Sequence, residues 1–311
     1  MALELLKEKW TNKIFEVEIG CTKDKGGTRS HSIKIGGEES LPYVEEESLL
    51  PNSPKVAMEV WDTYPKDWNE SLLKEFGKKA NDPVLWANFC IANSKVDAIH
   101  LKIASASEEY GNNSIEKIEK FFNNFLKNVS APLIITGCGE AEKDNVILSR
   151  LSNIAKNESC LFGVATQNNY KTLSVSANAD NHSIIAESPI DINIAKQINI
   201  LISDMGLDAS KIVMHPTTAA LGYGMEYVYS IMERSRLAAL NGDKMLSMPF
   251  ILFVGGEVWR IKEAKENETL GVMWEAATAI SMIHSGADLL VARHPKAVSQ
   301  INRYISTMRE R

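Results

Sequence analysis

The chain has 311 residues, of which 44% are hydrophobic and 24% charged, with a formal net charge of −6. Length and apolar content support a sizeable core, as one large domain or two small ones. The acidic balance argues against a nonspecific nucleic-acid binder, which needs a basic surface. No apolar run reaches the roughly 18 residues of a transmembrane span.

The N-terminus, MALELLKEKW, mixes Glu4, Lys7, Glu8 and Lys9 into its apolar residues. It predicts a short amphipathic helix and lacks a signal-peptide core, so a cytoplasmic location is expected. A hairpin follows. Phe15, Val17 and Ile19 alternate, CTKDKGGTRS turns, and Ile33 and Ile35 alternate again. Gly26-Gly27 is expected to supply the positive-φ positions of that turn. With the proline-bearing crossing LPYVEEESLLPNSPK, residues 1–55 form an extension expected to plug or cover one end of a main domain at 56–311.

Eight strand candidates then alternate with helical stretches, at 56–60, 98–103, 132–136, 161–165, 183–188, 211–215, 249–254 and 288–293. They are mostly continuous apolar runs, as expected for parallel strands buried on both faces. Between them lie segments such as 114–129, where Ile115, Ile118, Phe121, Phe122 and Phe125 form one stripe. A further helix opens at Met225, with Tyr227, Val228, Ile231 and Met232 on its apolar side and Glu233, Arg234 and Arg236 on a solvated or partner-facing side. Eight βα units over about 250 residues predict a closed (β/α)8 TIM barrel, α/β in class, with the helix and hairpin as an N-terminal extension. A doubly wound sheet fits eight evenly spaced strands less well.

Active sites of such barrels lie in the loops after the strands. Here those loops are rich in Gly, Asn and Thr and poor in convergent acids and bases, which suits binding better than hydrolysis. There is no GxxxxGK[ST], HExxH or GxSxG. Gly137-Cys138-Gly139 begins a dinucleotide fingerprint, but Glu142 stands at its third glycine. The four cysteines, Cys21, Cys90, Cys138 and Cys160, form no CxxC and are expected as small buried hydrophobes. No catalytic residue and no metal ligand emerges. Asp180-Asn181-His182 mimics the start of a cobalt-ligating DxHxxG, but Ile185 replaces the glycine and the segment leads into a strand, so the match is coincidental. His215 and His294 each end a strand before proline, and a histidine satisfied at a strand end is the plainer reading of both. Asp62 ends the first strand, where a carboxylate needs either a partner or a ligand. Asp191 suits a helix cap slightly better than a ligand contact.

The segments TKDKGGTRSHSIKIGGE (22–38), GCGEAEKD (137–144), NNYKTLS (168–174), ESPIDINIAKQINILI (187–202), LGYGMEYVYSIMERSRLAALNGDKMLSMP (221–249) and ARHP (292–295) together resemble the small subunit of the corrinoid iron–sulfur protein of the reductive acetyl-CoA (Wood–Ljungdahl) pathway of anaerobes. The resemblance covers nearly the full chain. The delta subunit of the archaeal acetyl-CoA decarbonylase/synthase complex is a more distant match.

The resemblance implies a barrel paired one-to-one with a large subunit that carries the [4Fe-4S] cluster and the cobalamin (corrinoid) domain, with the corrinoid at the subunit interface. The implied heterodimer accepts methyl from methyltetrahydrofolate through a separate methyltransferase and delivers it to acetyl-CoA synthase. No nucleic acid and no membrane enters that scheme. Strand-end position, not a family motif, places Asp62, Gly137, Asn168, Asn169, Asp191, Asn193, Thr217, Gly222, Tyr223, Gly255 and Arg293 near the corrinoid. Two rivals stand beside this reading. One is a pteridine-binding methyltransferase of the dihydropteroate-synthase-like barrel type, using Asp62, Asn168 and Asp191. The other is a structural partner that never touches cofactor.

Overall fold

The computed structural model describes residues 8–42 and 50–309. The helix expected at the N-terminus falls largely on residues 1–7, outside the described residues, and residues 8–10 form no regular element. Chain order begins with a two-stranded antiparallel hairpin, β1 (Glu16–Ile19) and β2 (Ile33–Gly36). Eight parallel strands follow: β3 (Lys55–Trp61), β4 (Ala98–Lys102), β5 (Leu133–Thr136), β6 (Leu161–Ala165), β7 (Ser183–Glu187), β8 (Ile212–His215), β9 (Phe250–Leu252) and β10 (Ala287–Ala292). They close in chain order, β10 beside β3, into a complete TIM barrel. The expected strands are all present, most shifted by one or two residues at their ends.

Between β3 and β4 lie α1 (Glu70–Phe76) and α2 (Pro83–Ser94). The next connections carry one helix each: α3 (Ile115–Asn128), α4 (Ala141–Ile154), α5 (Tyr170–Asp180), α6 (Ile192–Asp204) and α7 (Met225–Leu240). After β9 come α8 (Val254–Val258), α9 (Lys262–Glu266) and α10 (Glu268–His284), and α11 (Pro295–Arg309) follows β10. The stripe on α3 faces inward as its spacing predicts, with Ile118, Phe122 and Phe125 buried. On α7 two expectations fail. Tyr227 is 63% exposed, while Arg236 is buried, donating to the Gly286 carbonyl at 2.8 Å and pairing with Asp288. The long Arg236 side chain reaches past the helix surface to the start of β10, which its place on the helix does not reveal.

The hairpin plugs the N-terminal end of the barrel. Val17, Ile19, Ile33 and Ile35 form one cluster with inward-facing residues of all eight strands, among them Ala57, Ala98, Ile134, Leu161, Ile185, Val213, Ile251 and Leu289. Its backbone bonds to the loops that enter the strands: Gly20 N–H to Ser159 O at 2.7 Å, Ser30 N–H to Ser130 O at 2.7 Å, and Phe15 N–H to Ser247 O at 2.6 Å. Arg29, also buried, locks the turn by donating to Glu158 at 2.7 Å and to the Val129 carbonyl at 2.6 Å. In the turn only Gly26 has positive φ, at +94°. Gly27 is required for another reason, since a Cβ there would lie 2.2 Å from the Cys21 carbonyl oxygen. Among the described residues no helix is long and apolar enough to cross a membrane.

Candidate functional site: the C-terminal mouth of the barrel

With one end plugged, the barrel opens at the C-terminal ends of its strands into a pocket of about 470 Å³. The residues that shape it come from inside the strands. Because side chains alternate, the run that buries Val56, Met58 and Val60 outward turns Glu59 inward, and β4 turns His100 and Lys102 inward in the same way. Thr136, Glu187 and His215 add to the lining from β5, β7 and β8, and Phe253 and Arg293 from just beyond β9 and β10.

These side chains form a bonded layer. Arg293 grips Glu59 with two bonds, Nε to Oε2 at 3.1 Å and Nη2 to Oε1 at 2.9 Å, and Trp61 Nε1 donates to Glu59 Oε1 at 2.5 Å. Burial opposes the charge on Glu59, but the Arg293 guanidinium, with His100 and Lys102, holds its pKa at about 2. Burial keeps His100 neutral, with a pKa of about 4. Its Nε2 bonds Thr136 Oγ1 at 2.8 Å, and its buried Nδ1 has no hydrogen-bond partner among the described residues. Across the mouth, His215 Nδ1 lies 3.0 Å from Glu187 and its Nε2 3.2 Å from Thr218 Oγ1.

Beneath this layer Glu275 of α10 is fully buried. It accepts the backbone N–H groups of Arg293 at 2.6 Å and His294 at 3.2 Å, and Trp259 Nε1 at 2.9 Å. Glu275 therefore fixes the backbone from which Arg293 reaches Glu59. Gly255 is needed there because a Cβ would lie 2.6 Å from the Arg293 nitrogen and 2.8 Å from Glu275. Thr217, on the rim, holds φ at +74° and donates to the Ser188 carbonyl at 3.0 Å. A β-branched residue in that region is strained, a cost typically of about 1–3 kcal/mol that concentrates at functional sites.

One group among the described residues has metal-ligand spacing: Glu75, Glu268 and His294. It lies apart from the mouth, and its chemistry opposes a metal. Lys296 Nζ sits between the two carboxylates, at 2.8 Å and 2.7 Å. His294 Nδ1 accepts the Lys296 backbone N–H at 3.1 Å, which leaves the proton on Nε2, the nitrogen that faces the carboxylates.

The model of the CO dehydrogenase/acetyl-CoA synthase delta subunit family matches residues 16–304. The chain belongs to the delta-subunit family. The acetyl-CoA decarbonylase/synthase complex subunit delta of Methanopyrus kandleri is 32% identical over 305 residues, covering 96% of this chain and 76% of its own length. Its counterpart in Methanocaldococcus jannaschii is 30% identical over 310 residues, with the same coverages. The archaeal delta subunit, the more distant of the two resemblances drawn from sequence, is thus the family shown. In overall shape the delta-subunit barrel is similar to dihydropteroate synthases. That of Xanthomonas albilineans with 4-aminobenzoic acid has a TM-score of 0.59 at 11% identity, covering 84% of this chain and 94% of its own. That of Yersinia pestis has 0.55 at 9%, covering 83% and 94%.

The delta-subunit mouth gathers Gly137, Asn168, Asn169, Thr217 and Arg293 around its pocket. Asn169 is committed to its own loop, accepting Thr166 N–H at 2.6 Å and donating to the Val164 carbonyl at 3.0 Å. The other expected residues do not line it. Asp62 accepts the Ser105 backbone N–H at 2.9 Å and the Ser105 hydroxyl, which fills both its oxygens. Asp191 caps α6, accepting Asn193 N–H at 2.7 Å and Ile194 N–H at 3.2 Å, and Asn193 is exposed on that first turn. Gly222 and Tyr223 stand on the outer rim, where the Tyr223 hydroxyl donates to Glu263 at 2.6 Å. Gly255 lies in α8, packed behind Arg293. Strand-end position alone missed Glu59, His100, Lys102, Glu187 and Glu275. For the first three a signal existed: polar residues at inward positions of otherwise apolar strands, Glu59 in β3 and His100 and Lys102 two apart in β4. His182 of the coincidental motif is buried between the Cys160 N–H and the Ser152 carbonyl, at 3.1 Å and 3.0 Å.

Proposed function

We propose that this chain is the small subunit of a corrinoid iron–sulfur protein. It pairs with a large subunit that carries the [4Fe-4S] cluster and the cobalamin. The pair takes methyl from methyltetrahydrofolate through a methyltransferase and delivers it to acetyl-CoA synthase. The observation that carries this reading, beside family membership, is the form of the mouth. It is open and polar, and too small at about 470 Å³ to enclose a corrin ring with its side arms, so it fits covering one face of the ring.

The donor set fits that role. Among the described residues the mouth holds no grouping with metal-ligand spacing. A ring edged with amides asks instead for hydrogen-bonding groups. Asn168 and Thr217 at the rim, the backbone at Gly137, and Arg293 held rigid by Glu59 and Glu275 would meet it. When bound, the corrinoid supplies a cobalt centre able to carry a methyl group. The barrel's own part is to exclude water from that face and to orient the ring.

A second reading, a pteridine-binding methyltransferase, is favoured by the pocket's size, which lies in the range of small-molecule sites. Anaerobic co-expression with a large-subunit candidate separates the two. A one-to-one complex with about one corrinoid, together with a colourless isolated chain, is expected. An isolated chain that binds methyltetrahydrofolate unaided would favour the methyltransferase. A corrinoid spectrum unchanged by Asn168→Ala and Thr217→Ala would favour a purely structural partner.

A further inference from the structure

Three charged side chains are buried together where the N-terminal extension meets the barrel, at the end opposite the mouth. Glu38 comes from the segment after β2, Arg236 from α7 and Asp288 from β10. The backbone is tied down at the same point, where the Glu38 carbonyl accepts the Ile14 N–H at 2.9 Å. With all three side chains ionised the cluster would hold one negative charge in excess, which is costly away from water.

The guanidinium is not shared evenly. Its Nη2 donates to Asp288 Oδ2, and the Phe250 N–H donates to the same oxygen at 2.6 Å. Glu38 has only Arg236 Nη1, at 3.5 Å and without a hydrogen bond between them. The Glu38 and Asp288 carboxyls lie within hydrogen-bond reach of each other. Asp288 therefore holds the cation, and Glu38 is the carboxyl that keeps a proton. Among the described residues, Asp288 of β10 and Arg236 of α7 are the charged groups that face Glu38 from the elements packed against it. Burial and the Asp288 charge push the Glu38 pKa well above the ordinary 4.5, against the pull of Arg236.

We propose that Glu38 and Asp288 share a single proton and form, with Arg236, a pH-sensitive clasp between the plug and the barrel. The clasp belongs to the isolated chain and does not depend on the corrinoid reading. With the proton in place, the Glu38 hydroxyl donates to Asp288 and one carboxylate faces one guanidinium. Loss of the proton leaves two carboxylates side by side against one cation, and the join weakens. The unfolded chain gives up this proton near pH 4.5 and the folded pair gives it up higher. Stability from the pair is therefore full below that pH and falls as pH rises.

Infrared spectroscopy of the folded full chain at pH 7 reads the proton directly. It is done on Glu275→Gln, because Glu275 is a second buried carboxyl that titrates near that pH. A carboxylic-acid C=O band is expected, and its absence overturns the proposal. Urea unfolding of the full chain between pH 5.5 and 7.5 reads the consequence. Glu38→Gln keeps a neutral donor toward Asp288 at every pH. Its unfolding constant should rise with pH less steeply than that of the unsubstituted chain, by about tenfold per pH unit. Equal slopes in the two proteins overturn the proposal. Should Glu38→Gln fail to fold, the infrared band decides.

Discussion

Glu275 has both oxygens occupied by N–H donors, an arrangement that favours the ion, yet its burial pushes its pKa up to about 7 from an ordinary 4.5. The unfolded chain gives up this proton near 4.5 and the folded chain near 7, so between those values the folded state holds more protons. Stability from this group therefore falls as pH rises through that window, by up to roughly 3 kcal/mol. Glu275→Gln removes the titration. It also turns an NH2 group toward N–H donors, a loss on the order of 1–3 kcal/mol at the acid end of the window. Urea unfolding between pH 4.5 and 7.5 should show the two proteins converging as pH rises. Parallel profiles would remove Glu275 as the titrating group. No sequence pattern marks Glu275, because its partners arrive from the residues just after β10 and α8.

The hairpin carries the argument to the scale of elements. Its period-two alternation of Val17, Ile19, Ile33 and Ile35 is legible in the sequence, and so is its separateness from the βα series. Which end of the barrel it fills is not, because that depends on where the chain enters β3. Two of its glycines distinguish conformation from space. At Gly36, φ is +79° and a Cβ would lie 2.1 Å from the Phe15 carbonyl oxygen. At Gly26, φ is +94° and a Cβ would meet nothing within 4 Å among the described residues. Gly36→Ala should thus lose on the order of 3 kcal/mol through clash and strain together, and Gly26→Ala about 1 kcal/mol through strain alone. Equal losses in denaturant midpoints would show that close packing at Gly36 is not what requires a glycine there.

At the scale of the molecule, hairpin and barrel share one apolar cluster that touches every barrel strand. They are expected to open together. Hydrogen exchange at the Val17 and Ile35 amides should proceed with the same opening free energy as at Ile99 and Ile134 in the barrel wall. Faster exchange confined to the hairpin would make it a separately opening plug. The polar layer at the other end sits on this shared floor, so a hairpin that opened alone would loosen Glu59 and Lys102 from below.

The number of strands, their parallel pairing and the closed barrel follow from the sequence alone. Eight apolar runs alternate with amphipathic helices, and parallel strands must bury both faces. The caps and glycines of single loops are readable in the same local way, as Asp191 illustrates. Only the tertiary structure decided which polar residues face one another at the mouth. Barrel closure brings Glu59 of β3 against Arg293 beyond β10, 234 residues apart, and leaves Lys102 facing a ring instead of a carboxylate. Periodicity says that a side chain points inward, but the shear and closure of the barrel determine what it meets there.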